Sequence, residues 1–236
     1  MNIAVVLAGG VGARIGAGIP KQFIEVLGKP IMIYTLETFQ KDPLIDEIVL
    51  VCVRTHMDLA KEYCKKYGIS KVRSFVEGGD SFLGSSINGV KSLAGKCSPD
   101  DIVVITSADR PFISMEEIDD SIRVCLEHGS GVAARDCAVC MFRVGKDRSH
   151  SHAYERDNLV QIATPWTFRR GLLMDAIDRY EAGEFPGCEP YPAAVFAAAG
   201  NELYFSKAFA RNIKITEKTD LPLMEAMLKE QLSEKR

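Results

Sequence analysis

No apolar run in this 236-residue chain approaches the ~20 residues that a helix needs to cross a bilayer. No basic segment precedes the first apolar run, since Met1 leads directly into it, so neither a membrane anchor nor a secretory leader is expected. A basic excess is missing too. The 29 Lys and Arg stand against 32 Asp and Glu, a formal charge of −3. That balance argues against a nucleic-acid or anionic-membrane surface and requires any phosphate site to be a local basic pocket. The seven cysteines are scattered and odd in number, which fits a reducing cytoplasm better than a disulfide framework. There is no internal repeat and no low-complexity linker. What remains is an ordinary composition, 47% hydrophobic and 26% charged, in a chain long enough to bury one large core as a single domain over 1–236.

The stretch from Leu7 to Phe23 is the most informative. Ile3-Ala4-Val5-Val6-Leu7 is a short, continuous apolar run, the pattern of a strand buried on both faces. It passes into Ala8-Gly9-Gly10-Val11-Gly12-Ala13-Arg14-Ile15-Gly16 and then Pro20-Lys21-Gln22-Phe23. Glycines at a strand end let bare backbone N–H groups approach an anion, because no Cβ stands in the way. Arg14 offers a planar fork of donors and Lys21 a compact charge, both suited to phosphate oxygens. Pro20 restricts the backbone that leads into Lys21. The spacing is neither that of a Walker loop nor that of the dinucleotide fingerprint.

Strand and helix patterns then alternate. Residues 31–40 have helical spacing and end at Asp42-Pro43, 45–53 read as a strand, 56–67 as a helix closed by Gly68, and 72–76 as a short strand before Glu77-Gly78-Gly79-Asp80. Residues 85–93 begin another helix, 101–106 form the third strong strand, and Ser114 with Glu117 reads as the capping box of a helix over 115–128. This alternation predicts an α/β layered fold with a mostly parallel sheet. Ligands in such sheets sit outside the strand carboxyl ends, where Gly9-Gly10, Gly78-Gly79 and Asp109 all fall. Beyond Ala133 the pattern loosens: 132–134 and 138–144 look extended, 145–151 resembles a hairpin tip, and Thr164-Pro165 precedes an expected helix over 168–181. Residues 202–205 and 212–216 read as short strands, and 221–232 as a final helix.

Taken together, Gly9-Gly10-x-Gly12-x-Arg14-x-Gly16 and Pro20-Lys21-Gln22 resemble the N-terminal motif of the cytidylyltransferases acting on 2-C-methylerythritol 4-phosphate or ribitol 5-phosphate. The resemblance implies a Rossmann-like three-layer nucleotidyltransferase fold with a protruding β-arm at about 135–163 that reaches a second subunit, hence a homodimer. It also implies Mg²⁺ as cofactor, and CTP and a small phosphorylated alcohol as substrates. Arg14, Lys21 and Lys214 match the catalytic cations. Leu7, Ala8, Gly9, Gly10, Gly12, Gly79 and Ser85 match the nucleotide-binding backbone and hydroxyl. Arg110, Asp136 and Arg156 match acceptor-binding positions, and Asp109 and Asp220 match positions near the metal.

Departures from the family pattern accompany these matches. Thr106-Ser107 stands where the family has His-Asp, with Asp109 two residues on and therefore on the same face of an extended strand. Phe82 replaces an arginine, Cys137 a threonine, Trp166 a glutamine, and Pro190-Tyr191-Pro192 an acidic segment. These altered positions lie on the side expected for the acceptor. Leu-Ala-Gly-Gly and Pro-Lys-Gln-Phe look more like the ribitol 5-phosphate members, with methylerythritol phosphate as the alternative. A catalytically silent nucleotide-binding homologue and a molybdenum-cofactor-type or sugar-1-phosphate nucleotidyltransferase are further alternatives. Cys137-x-x-Cys140 with His150 and His152 does not have the spacing of a structural zinc site and reads as apolar arm residues.

Overall fold

The computed structural model describes residues 1–10 and 19–234. Strand β1 (Asn2–Ala8) is the centre of the fold, and its side chains alternate. Ala4, Val6 and Ala8 pack into one apolar cluster, while Ile3, Val5 and Leu7 pack into the other. Helices cover both faces, so every β1 side chain from Ile3 onward is buried and the run has no polar alternation to show. The α/β layered fold expected from the alternating pattern is present, in the three-layer form that the resemblance implies.

Helix α1 (Ile31–Lys41), strand β2 (Glu47–Cys52), helix α2 (Met57–Lys66), strand β3 (Val72–Glu77) and helix α3 (Phe82–Lys91) follow β1. Strand β4 (Ile102–Ser107) and helix α4 (Met115–His128) come next. Ser81 caps α3 by accepting from Gly84 N, so this helix begins at Phe82, three residues earlier than its apolar spacing suggests. Ser114 and Glu117 form the expected capping box at α4, and Gly129 closes that helix in the left-handed conformation.

The second half differs from expectation. Strand β5 (Ser130–Asp136) leads into an arm whose tip pairs β6 (Phe142–Val144) with β7 (His150–Ala153) in antiparallel fashion. Residues 160–169 then form a long strand, β8 (Val160–Arg169), so the helix expected from 168 starts only at Arg170, as α5 (Arg170–Glu181). Pro165 gives this segment the look of a helix approach. A proline removes a ladder donor and is tolerated in a sheet at irregularities. Here the β8–β5 register shifts between Ile162 and Trp166, around the cis Thr164–Pro165 peptide. The alanine-rich stretch is helix α6 (Pro192–Ala198), and the short strand expected at 202–205 is β9 (Phe205–Lys207). The strand expected at 212–216 has no sheet partner among the described residues. It is an extended strap across the carboxyl edge of the sheet, where Ile215 N donates to the Asp109 carbonyl at 2.9 Å. Helix α7 (Asp220–Glu234) closes the chain, burying Met224 and Leu228 with Val26, Ile31, Phe112 and Ile215.

The seven-stranded sheet has the order β9-β5-β8-β4-β1-β2-β3. Strands β4, β1, β2 and β3 are mutually parallel, and β9 is parallel to β5, whereas β8 runs antiparallel to both neighbours. The chain moves outward from β1 through β2 to β3, then returns to the other side of β1 for β4. That reversal opens a crevice between the carboxyl ends of β1 and β4, the place where open α/β sheets bind ligands.

Candidate active site

A cleft of about 800 Å³ lies over that crevice. Leu7, Gly9 and Gly10 enter it from β1, Ser107 and Asp109 from β4, and Gly79, Phe82 and Ser85 from the β3–α3 turn. Lys21 reaches it from the turn after the glycine segment, and Lys214 and Thr216 from the strap. Three clusters that are far apart in sequence, at Gly9-Gly10, Gly78-Gly79 and Asp109, therefore share one wall-lined space, as their places at strand ends predicted.

The glycine floor is built by close approach. The Ser85 hydroxyl accepts from Gly79 N at 3.1 Å and lies 3.3 Å from Gly79 O. A Cβ on Gly9 or Gly78 would stand 3.2 Å from Ser85 Oγ, and one on Gly79 would stand 2.7 Å from the backbone carbon of Gly84. No side chain fits at Gly79 without moving the start of α3. Gln22 ties the two sides of the N-terminal loop together, donating from Nε2 to Gly10 O at 2.9 Å and also to Ala8 O. Ala8 thus anchors the Gln22 side chain and is not among the residues that line the cleft.

Lys21 opens a single 3-10 turn preceded by Pro20. Its Nζ lies 2.5 Å from Asp109 Oδ2 and donates to Ile215 O at 2.7 Å, and the two paired side chains are only 10% and 8% exposed. An ammonium has three donors; two are engaged by described residues, which leaves one among them for a ligand oxygen. Among the described residues, Asp109 Oδ1 and Ser107 Oγ are buried with no hydrogen-bond partner, although their residues line the cleft. Buried polar atoms of this kind are rare in native structures and signal a missing partner. Lys214 lines the cleft from the strap, with its Nζ 5.6 Å from the centre of the Phe82 ring.

Other expected site residues stand elsewhere. Gly12 and Arg14 lie outside the described residues. Arg110 turns away from the cleft, its Nη1 donating to Asn212 O at 2.7 Å and lying 3.3 Å from Asn212 Oδ1. Burial pulls its guanidinium pKa below the ordinary value, against the raising influence of Asp109 and Glu117. Arg110 and Glu117 both grip Asn212, and the Glu117 carboxylate also accepts from Phe209 N at 2.8 Å, so they anchor the strap that carries Lys214. Asp136 and Arg156 line a separate depression of about 380 Å³ at the root of the arm, with Cys137, Asp157 and Leu159. Asp220 accepts from Thr216 N at 2.7 Å and Glu217 N at 2.8 Å, which ties the start of α7 back to the strap, and it is not among the residues that line the cleft. Cys137 is buried with its thiol donating to Val139 O at 3.2 Å, and among the described residues no group of three His, Cys, Asp or Glu is arranged to hold a metal.

Val53, Arg54 and Thr55, together with Glu77, Asp80, Ser81 and Thr216, also line the cleft and were not singled out from sequence. The first three follow β2 directly, so the strand-end rule that picked out Gly9 and Asp109 applies to them as well.

The profile of the IspD family, 2-C-methyl-D-erythritol 4-phosphate cytidylyltransferase, matches residues 2–230. A ribitol-5-phosphate cytidylyltransferase of Lacticaseibacillus paracasei is 36% identical over 231 residues, spanning 98% of this chain and 99% of that protein. A 2-C-methyl-D-erythritol 4-phosphate cytidylyltransferase of Alkaliphilus metalliredigens is 34% identical over 229 residues, spanning 95% and 91% respectively. Among solved structures, a 4-diphosphocytidyl-2C-methyl-D-erythritol synthase from Anaerococcus prevotii superposes with a TM-score of 0.83 at 25% identity, covering 97% of this chain and 98% of that one. No helix among the described residues is long and apolar enough to cross a membrane.

Proposed function

The chain belongs to the IspD family of cytidylyltransferases, and we propose that it transfers CMP from CTP to an alditol phosphate, with ribitol 5-phosphate favoured. The observation that carries this reading is Lys21, a nearly buried ammonium held at the β1–β4 crevice between a glycine floor and the Lys214 strap. Phosphoryl-type transfers need mainly positioning and charge stabilisation, and this arrangement supplies both. The choice of ribitol 5-phosphate is supported by the Leu-Ala-Gly-Gly and Pro-Lys-Gln-Phe segments and by the nearly full-length likeness to the Lacticaseibacillus protein.

In this reading the base and ribose lie against Gly9, Gly10, Gly79 and Ser85, where backbone replaces side chain. The triphosphate lies over Lys21. An oxygen of the acceptor phosphate attacks the α-phosphorus in line; that P–O bond forms as the bond to the bridging oxygen of pyrophosphate breaks. Lys21 and Lys214 hold the charge that develops on the transferring and leaving groups. Asp109 keeps Lys21 in place through Oδ2.

Mg²⁺ fits the site through Asp109. Magnesium is bound through one or two carboxylates together with substrate phosphates and water, and Asp109, whose Oδ1 has no partner among the described residues, would be the carboxylate that holds it. The ion would neutralise triphosphate charge there. Asp220, which holds the Thr216 and Glu217 backbone N–H groups, is not among the residues that line the cleft.

The arm exposes Val139, Met141, Val144, Tyr154 and Ile162. Apolar side chains raised on a projecting ribbon call for a partner surface, and a second copy of this chain is the partner proposed. Asp136 and Arg156 would then contribute to the acceptor side of the neighbouring subunit. A cytoplasmic location belongs to the same proposal, supported by seven unpaired cysteines.

Turnover with CTP, Mg²⁺ and a panel of phosphorylated alcohols tests the reading. Pyrophosphate release is expected with ribitol 5-phosphate, falling at least 100-fold in kcat for Lys21→Met. Release with 2-C-methylerythritol 4-phosphate alone would reassign the acceptor, and release with none would overturn the proposal.

A further inference from the structure

Lys21 and Lys214 both line the cleft, and the protein holds their ammonium groups by different means. Lys21 is paired with a carboxylate, Asp109 Oδ2, at 2.5 Å. At Lys214 the hold is a ring: its Nζ lies over Phe82, 5.6 Å from the ring centre. That separation is inside the ~6 Å over which the negative face of an aromatic ring attracts a cation. The two holds differ in what they do to charge. A carboxylate compensates the ammonium that it fixes, whereas a ring brings no negative charge and leaves the ammonium's net charge to act on an anion.

The strap fixes the backbone on both sides of Lys214. Arg110 and Glu117 grip Asn212, and Ile215 N donates to Asp109 O at 2.9 Å. Beyond the backbone, a lysine carries its charge on a flexible four-carbon stem with much rotamer freedom to lose. Charge stabilisation in a transition state is most effective when the stabilising group is already in place. The Phe82 ring stands where it can hold the end of that stem.

The ring is itself held. Ser81 caps α3 by accepting from Gly84 N at 2.9 Å, which sets the backbone of Phe82 as the first residue of the helix. Phe82 and Trp166 stand 5.4 Å apart, nearly edge to face at 67°. Tyr191 lies 6.3 Å from Phe82 and 6.1 Å from Trp166. At these separations aromatic rings attract and fix one another's orientation. Trp166 is buried in the core cluster that contains Phe168 and Phe196, so the brace is anchored in the interior. In the family pattern the three positions are an arginine, a glutamine and an acidic segment; here polar groups give way to rings at all three.

We infer that Phe82, braced by Trp166 and Tyr191, is a positioning residue for Lys214, an inference that rests on the transferase reading above. The ring keeps the Lys214 ammonium over the cleft before the reacting phosphates arrive. Less reorganisation is then needed as charge develops, so Phe82 acts on kcat and does so through Lys214.

The test replaces Phe82 by mono-, di- and trifluorinated phenylalanine, which weakens the negative face in steps with little change in ring size. With CTP, Mg²⁺ and ribitol 5-phosphate, kcat is expected to fall step by step, by about 3- to 30-fold in all, the span to which cation–π energies correspond. The KM of each substrate should stay within threefold. Phe82→Tyr, which keeps the ring face, should hold kcat within threefold, and Phe82→Leu should fall at least as far as the trifluorinated protein. A second measurement needs no turnover. In protein carrying ¹³C-labelled lysine, the ε-methylene resonance of Lys214, identified by its loss in Lys214→Arg, should be displaced upfield by the ring. The displacement should vanish in Phe82→Leu and persist in Phe82→Tyr. A resonance that is the same in the wild type and Phe82→Leu would overturn the inference. So would an active enzyme whose kcat ignores fluorination, or Phe82 variants that raise a KM and spare kcat. A wild-type protein inactive with every phosphorylated alcohol would overturn the transferase reading instead, and the resonance would still decide whether the ring holds Lys214.

Discussion

Asp109→Asn, Lys21→Met and the double variant together measure whether Lys21 is a charge held by one buried partner. The Lys21 ammonium lies 2.5 Å from Asp109 Oδ2, and the two side chains are only 10% and 8% exposed. A buried pair is not stabilising merely by existing, because desolvation offsets most of the attraction, but removing one partner strands the other and costs about 3–5 kcal/mol. Asp109→Asn keeps an acceptor oxygen near Nζ, and Ile215 O still accepts at 2.7 Å, so the lower end of that range, about 3 kcal/mol, is expected. For a domain of this size each kcal/mol moves the Tm by roughly 2–4 °C, giving a fall of about 6–12 °C. Lys21→Met strands the carboxylate at a similar cost. The double variant removes both charges and should lose about 3 kcal/mol in all, well short of the roughly 6 kcal/mol from simple addition, so a coupling of about 3 kcal/mol is expected. Thermal and urea unfolding read these values. CTP without Mg²⁺ should raise the Tm of Asp109→Asn more than that of the wild type, because the triphosphate supplies the missing counter-charge. Additive singles, or an Asp109→Asn variant within about 0.5 kcal/mol of wild type, would refute a desolvated pair.

Asp42 gives a pH prediction. It is fully buried at the end of α1, and burial, reinforced by the Asp119 carboxyl, pushes its pKa from 3.8 up to about 6. A carboxyl raised on folding contributes its full stability below its unfolded pKa and loses it as pH climbs through the folded one. Stability should therefore decline between about pH 4 and pH 7, by up to about 3 kcal/mol for a shift of about two units. Asp42→Asn should flatten that decline, and an unchanged slope of urea midpoint against pH would count against the account. At the glycine floor, Gly79→Ala puts a Cβ 2.7 Å from the Gly84 backbone. Calorimetric CTP affinity should fall at least 30-fold with the far-ultraviolet circular dichroism retained; wild-type affinity would show that the floor can yield.

Buried strands of a parallel sheet are the most legible part of this chain. Ile3–Leu7 and the apolar runs at β2 and β4 are strands as their patterns predict, because helices cover both faces and a short, continuous Val and Ile run between glycine turns suits little besides the interior of such a sheet. Strand-end glycines and Asp109 follow from the same topology. Two segments depart from their patterns for physical reasons that a linear sequence does not carry. Pro165 suggests the approach to a helix, but a register shift in the sheet accommodates it inside β8. Residues 212–216 alternate like a strand, yet the place beside β3 or β9 is not where they run; the hydrogen bonds of Glu117 and Arg110 to Asn212 draw them over the sheet edge instead. That diversion is what makes the site. As a strand, the segment would have left Lys214 at a sheet margin. As a strap it carries Lys214 over the cleft and sets the Ile215 carbonyl on Lys21, while Ile215 N holds the Asp109 backbone. The pairing of Lys21 with Asp109, far away in the chain, has no local signature either. What the sequence does mark are the side chains out of keeping with the family, Phe82, Trp166 and Tyr191, and only the fold reveals that these are one change rather than three.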